Sequence, residues 1–327
     1  MPVESLIAYV AAAFSVGAAA TFAASPVAAA FARRAGAMDR PVDSRRMHTD
    51  ILPRAGGLAL FLALALVSAA FPSEVSAPLV AGGAIACALG ITDDIFSLSP
   101  ALKLLGQLAA ASLAVSLGVV PVRYGLYFGS FSLPPVLSAL LGVLWIVTLM
   151  NAVNFIDGLD GLAAGTSGAS FLTLALALLA AGSPAALSAA VLAGACIGFL
   201  PVNRAPARMF LGDCGSLLLG YSLGVLTLTQ STRAEAMLLL VSLPLFDLIL
   251  SVVRRLAAGK SPLAADRGHI HHRLIDSGYS VRVSVYTMVC VTLCTCFLAA
   301  ALLGVAGIGA AVAAIALVLV GAAHNAR

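Results

Sequence analysis

Residues 151–161 read NAVNFIDGLDG, a block of Asn, Asp and Gly at the end of an apolar run. Carboxylates at the edge of lipid are costly unless paired, hydrated or bound to a cation, so the block marks a candidate site. In a helix, Asn151, Asn154 and Asp157 recur every three residues and share a face, with Asp160 three residues further on. Gly158 and Gly161 leave room for a polar ligand at the backbone. An Asx-rich turn is the plain alternative. A turn, however, does not need so many polar groups beside lipid.

Four further clusters share this character. Asp93 and Asp94 are adjacent, and FSLSPALKLLGQ follows them. Neighbouring carboxylates repel unless a cation or a proton sits between them. An acidic pair at a helix C-terminus also opposes the macrodipole, which disfavours a bland helix-end role. Lys103 and Gln107, four residues apart, share one face of the next helix. Residues 39–57, DRPVDSRRMHTDILPRAGG, carry His48 between Pro41 and Pro53, then Arg54, and end on Gly56-Gly57, a pair that permits close backbone approach. A charge-retained loop accounts for the Arg there, and less well for the His and the glycines.

In residues 203–215, NRAPARMFLGDCG, Asp213 either caps the following helix or holds Mg²⁺ through one carboxylate. Residues 254–273 bring His269, His271 and His272 beside Arg267 and Arg273. The imidazoles alone point to zinc, and a solvated basic loop is another reading. The flanking guanidiniums favour an anion such as a pyrophosphate. Asp247, about two turns before Arg254, is expected to line an inner cavity or pair with a basic residue.

The elements that position these clusters are apolar. The 327-residue chain is 61% hydrophobic and 10% charged, with a mean hydropathy of +1.06. This is the composition of a membrane protein. Eleven spans are expected, at about 5–31, 56–71, 77–92, 102–118, 135–153, 162–181, 184–200, 214–229, 236–253, 284–303 and 305–323. Short links at two pairs leave the count at ten or eleven. The first stretch lacks a basic leader and is too long for a signal peptide, so it reads as the first span. The six cysteines form no zinc-type pair and read as small core residues.

Placing residues 32–55 on the cytoplasmic side puts every Lys and Arg except Arg123 and Arg233 on that side. Every Asp and His then falls inside or at the inner edge, and Glu4, Glu74 and Glu235 fall outside. The N-terminus is therefore expected outside and the C-terminus inside. Residues 119–134 read either as a short β-hairpin or as an irregular loop. The hydrophilic stretches are too small for a soluble domain. The expected fold is an all-α polytopic membrane protein, one domain over 1–327. Its site faces the cytoplasm and is built from loops at 32–55, 93–101, 151–161, 201–213 and 254–283.

Five blocks in this order resemble the polyprenyl-phosphate N-acetylhexosamine-1-phosphate transferase family, across roughly residues 36–275. They are RRMHTDILPRAGGLAL, GITDDIFSLSPALKLLGQ, NAVNFIDGLDGLAAG, GFLPVNRAPARMFLGDCGSLLLG and DRGHIHHRL. The HIHHRL form is similar to the branch acting on UDP-N-acetylglucosamine. The resemblance implies catalytic roles for Asp93, Asp94, Asp157, Asp160, His271 and His272. It implies substrate contacts from His48, Arg54, Lys103, Asn151, Asn154, Asn203, His269 and Arg273. It also implies a Mg²⁺ or Mn²⁺ site at Asp213 with Asn154 and Asp94.

The implied reaction joins a lipid phosphate to the β-phosphorus of a UDP-sugar and releases UMP, in one displacement or through a phospho-sugar on an Asp. The implied partners are a UDP-N-acetylhexosamine, undecaprenyl phosphate, the bilayer of a bacterial inner membrane and a second copy of the chain, with no nucleic acid. UDP-N-acetylmuramoyl-pentapeptide is an alternative donor. A phosphate monoester has a second pKa of roughly 6, so the acceptor is mostly a dianion at neutral pH and hardly needs a base. Asp93 and Asp94 are then expected to position metal and acceptor. A transporter is the rival reading. It would hold its polar groups near the midplane, often at broken helices, and Asp247 with Pro244 is the one place that fits.

Overall fold

The computed structural model describes residues 3–39, 51–73, 76–121, 124–126, 128–229, 233–261 and 268–305. His48, Glu74, Arg123, Arg267, His324 and nearly all of the eleventh expected span lie outside the described residues. In chain order the helices are α1 (Val3–Ala35), α2 (Gly56–Ala70), α3 (Ser76–Phe96), α4 (Pro100–Ser116), α5 (Pro135–Ile156) and α6 (Leu162–Ala180). Then come α7 (Ala185–Asn203), α8 (Gly212–Thr229), α9 (Ala234–Leu240), α10 (Ser242–Ala257), α11 (Ile270–Asp276) and α12 (Val281–Leu302). Two short antiparallel pairs complete the described elements: β1 (Met38–Asp39) with β2 (Leu52–Pro53), and β3 (Tyr124–Leu126) with β4 (Gly129–Phe131). The second pair gives the hairpin expected within 119–134, at 124–126 and 129–131.

The chain is an all-α polytopic membrane protein. Each of the first ten expected spans falls on helix. Among the described residues α1, α3, α5, α6, α7 and α12 are long and apolar enough to cross a bilayer, and the bent α9–α10 pair passes the same test only when its two helices are taken together. Helices α2 and α4 are apolar but have 15 and 17 residues. At about 1.5 Å per residue they fall short of a hydrocarbon core of about 30 Å.

The segment 236–253 departs from the straight span expected of it. It breaks at Val241, and α9 and α10 meet at 78°. Pro244 lies in the first turn of α10, where a missing N–H breaks no helical bond. Helix α10 is two-sided. Asp247, Ser251 and Arg255, each four residues apart, are buried, whereas Phe246, Ile249, Val253 and Leu256 are exposed. A polar stripe at that spacing needs a protein partner on one side only.

Helix α8 is buried along nearly its whole length, between α2, α3 and α5. Glycine makes this approach possible. A Cβ on Gly57 would lie 2.2 Å from Gly215 N, and one on Gly90 would lie 2.2 Å from Cys214 N. The two neighbouring helices therefore touch the backbone of α8 within its first turn. Deeper in the bundle the buried Tyr221 hydroxyl donates to Pro78 O at 2.6 Å, and Trp145 Nε1 donates to Thr227 Oγ1 at 2.9 Å. Both aromatic polar atoms are satisfied, as burial requires.

Candidate active site

The polar blocks meet where α3, α5 and α7 end and α4 and α8 begin. Much of what was expected as loop is helix terminus instead, since α3 runs to Phe96, α5 to Ile156 and α7 to Asn203. Rigid helix ends aim a side chain more narrowly than loops do.

At the centre, Lys103 Nζ bonds Asp213 Oδ2, lies 2.9 Å from Asp93 Oδ2 and reaches Asn154 Oδ1 at 3.4 Å. Asn154 Nδ2 donates to Asp213 Oδ1 at 3.1 Å and to Ser216 Oγ at 2.8 Å. Asp93 also accepts Leu98 N–H at 2.7 Å, closing the turn after α3. Asp94 turns the other way. Its buried carboxylate faces Arg54 Nε at 3.2 Å and accepts Cys214 N–H at 3.3 Å. The adjacent carboxylates therefore do not share a cation: each has its own. Asp94, expected beside Asp213 in the metal set, instead anchors Arg54 and the start of α8.

Arg54 is placed by backbone pairing. Arg54 N donates to Ala37 O, and Pro53 O accepts Phe210 N–H, both at 2.9 Å. From there the guanidinium reaches 4.0 Å from Asp213 and 3.9 Å from Asp39. It also lines an open cavity of about 580 Å³, with Asp157, Gly158, Asp160, Asn203, Phe210, His272 and Arg282 among the other walls. Arg54 thus joins the carboxylate cluster to the cavity.

Asp157 is the C-cap of α5. Burial, then the Asp213 charge, pushes its carboxyl well above the usual carboxylate range. Asp160 accepts Ala207 N–H at 2.9 Å. Asn203 accepts Gly161 N–H at 3.0 Å and donates to Met209 O at 3.1 Å, so it clasps two loops while lining the cavity. Asn151 exchanges amide bonds with Gln107, at 2.7 and 3.2 Å, and is not part of the cavity wall.

The three histidines open α11. His271 is buried, its ring nitrogens bond no group among the described residues, and burial lowers its pKa to about 3. It is a neutral ring at physiological pH. Gly158 exists for it: a Cβ there would sit 2.2 Å from His271 Nε2. The space expected for a ligand at Gly158 is filled by the imidazole, and Gly161 starts α6 with φ 80°. His272 lines the cavity, whereas Arg273 is exposed and does not. His269 packs against Phe155, with ring centroids 5.1 Å apart, and bonds Asp247 at 2.7 Å. The basic residue that Asp247 pairs with is His269. The broken helix that favoured a transporter has its buried acid already engaged.

Among the described residues no three or more His, Cys, Asp or Glu converge as an all-protein metal cage. What converges is a set of hard oxygens, from Asp93, Asp213 and Asn154, already gathered around the Lys103 ammonium. Sequence reasoning missed Ser216, Phe210, Asp39 and Arg282 as site residues. Ser216 lies three residues after Asp213, a helical spacing that could have flagged it. Asp39 opens the 39–57 block, whereas Phe210 and Arg282 arrive through tertiary contacts.

The sequence model of glycosyl transferase family 4 matches residues 76–231, from the start of α3 to the end of α8. A Bacillus subtilis relative named probable undecaprenyl-phosphate N-acetylglucosaminyl 1-phosphate transferase is 34% identical over 280 residues, covering 80% of this chain and 76% of its own. A Mycolicibacterium smegmatis relative named decaprenyl-phosphate N-acetylglucosaminephosphotransferase is 34% identical, covering 77% and 72%. A Thermotoga maritima relative named undecaprenyl-phosphate alpha-N-acetylglucosaminyl 1-phosphate transferase is 34% identical, covering 77% of each chain. On this extent of similarity, with the matched segment carrying the Asp93, Asn154 and Asp213 cluster, the chain belongs to glycosyl transferase family 4.

Proposed function

We propose that this chain transfers N-acetylglucosamine-1-phosphate, or a related N-acetylhexosamine-1-phosphate, from a UDP-sugar to undecaprenyl phosphate. A lipid-phosphate oxygen bonds the β-phosphorus, the bond from that phosphorus to the bridging oxygen breaks, and UMP leaves with the electron pair. The product is a lipid-linked sugar diphosphate that starts a cell-surface polysaccharide. The observation that carries this reading is the junction at Arg54. One guanidinium borders a cavity large enough for a nucleotide sugar and the Asp213 cluster at the inner ends of the helices. The relatives' names supply the lipid and sugar classes.

Phosphoryl transfer needs positioning and charge neutralisation more than covalent help from the protein. Arg54 is placed to hold a diphosphate oxygen. Lys103 keeps Asp93 and Asp213 from repelling each other before substrate arrives. The donor set fits Mg²⁺, or Mn²⁺, which takes one or two carboxylates and leaves other positions to water and phosphate. Asp213, Asp93 and Asn154 would hold it, and when bound it would draw charge from the diphosphate. Asp157 and Asp160 lie on the nucleotide side, along the cavity wall. His272 stands at the cavity wall, and His271 supports it from within as a neutral ring.

The family motifs suggest a bacterial cytoplasmic membrane, and the charge asymmetry suggests the N-terminus outside and the site inside. Purified protein supplied with undecaprenyl phosphate, Mg²⁺ and a panel of UDP-sugars should release UMP, with UDP-N-acetylglucosamine preferred. No UMP from any donor would sink the proposal.

A further inference from the structure

Asp247 is a carboxylate that the reaction above does not use. It lies on α10 just past the break, with 1% of its surface exposed. A buried charge at that depth is retained only where partners compensate it. Both of its oxygens are taken. Oδ1 accepts the Ile270 backbone N–H at 2.8 Å, and Oδ2 lies 2.7 Å from His269 Nδ1. The first bond satisfies an amide at the start of α11 that no helical carbonyl can reach. The second sets the imidazole. An ionised carboxylate only accepts, so Nδ1 carries the hydrogen, and in the neutral ring Nε2 is then the bare nitrogen. Ser251 Oγ, 3.2 Å from the same Nδ1, receives Arg254 Nη2–H at 3.1 Å.

We propose that Asp247 is a positioning residue for the transfer reaction: it fixes His269 as the Nδ1–H tautomer and pins the start of α11. The consequence runs along the histidines. His269 stacks on His271 at 5.6 Å, with ring planes 6° apart. His271 packs against Gly158 and lies 4.2 Å from His272, which lines the cavity. The groups facing His269 are Asp247 and Ser251 from α10, Phe155 from α5, and His271 and His272 from α11. Arg255, on the buried face of α10, holds Phe155 from beyond at 5.2 Å. This proposal rests on the reading of α11 as part of the transfer site.

Asp247→Asn separates position from tautomer. Its amide oxygen can keep Ile270 N–H, but its NH₂ can only donate, which forces the His269 hydrogen onto Nε2. In full-length protein in nanodiscs, labelled with ¹⁵N-histidine and assigned with His269→Gln, the ring signals should show Nδ1–H in wild type and Nε2–H in Asp247→Asn. Turnover should fall about 10–100-fold in the variant, the scale on which a small misplacement around the chemistry costs rate. KM for the UDP-sugar and the thermal midpoint should hold, and Asp247→Glu should recover the Nδ1–H signal with part of the rate. Wild-type protein with its hydrogen on Nε2, or Asp247→Asn with wild-type turnover, overturns the proposal. Should Asp247→Asn fail to fold, the wild-type signal decides alone. Should no donor yield UMP, the transfer reading falls, and the tautomer signal still decides this one.

Discussion

At the scale of single residues, the site is a balance of carboxylates and two cations. Asp213 is the pivot, because Lys103, Arg54 and Asn154 all reach it. Asp213→Asn should lower UMP release by about 100-fold or more, the scale of losing one preorganised charge at a reacting phosphate. It should also raise the Mg²⁺ concentration needed for half-maximal rate. Wild-type enzyme at full rate in excess chelator would rule out the metal assignment. His271 gives a prediction about pH. Its unfolded ring takes a proton near pH 6.5, whereas the folded ring waits until about 3. Because the folded pKa is depressed, its contribution to stability is whole above 6.5 and drains away as pH falls toward 3. The loss is about 5 kcal/mol at most. The thermal midpoint of the detergent-solubilised protein should drop between pH 7 and pH 5, and His271→Gln should flatten that drop. An unchanged drop in the variant would assign it to other groups.

At the scale of elements, the first turn of α8 is the part most exposed to error. It carries Asp213 and Ser216, and it is pinned through backbone contacts at Gly57 and Gly90. Gly90→Val would push α3 off α8 and carry Asp94 away from Arg54 and Cys214 N–H. Overpacking of this kind costs about 1–3 kcal/mol. Thermal inactivation should therefore come several degrees earlier, with turnover reduced at temperatures where the protein is still folded. A variant with wild-type midpoint and wild-type turnover would show that α3 and α8 can separate without disturbing the site. The break between α9 and α10 belongs to the same scale. A hydropathy window over 236–253 averages out Asp247 and Ser251 and stops before Arg255, so it reads as one straight span. The stripe itself, polar residues four apart, was legible in the sequence and points to a helix with one protein-facing side.

At the scale of the whole molecule, the polar groups gather at one end of an apolar bundle. A cysteine at Tyr279, beyond α11, should react with a membrane-impermeant thiol reagent only in inside-out vesicles. One at Ser132, beyond the β3–β4 hairpin, should react in intact spheroplasts. Both residues are exposed, and the native thiols serve as the background control. The reverse labelling pattern would invert the proposed orientation and place the site outside. The arrangement itself follows from cost: a polar block in hydrocarbon is expensive, and helix ends on one side are where several blocks can share water and partners.

The sequence by itself determined the class of protein, the helical spans and the five polar blocks. Hydropathy and residue type are local properties, and lipid imposes them strictly. It also carried enough pattern to show the family resemblance. Only the tertiary structure decided how the blocks engage. Asp93 and Asp94 part company because Lys103 and Arg54 approach from different elements. His271 becomes a neutral ring because Gly158 lets it bury. Asp247 finds His269 across 22 residues. Each of these depends on a partner distant in sequence, and burial, charge and tautomer are set by such partners rather than by spacing along the chain.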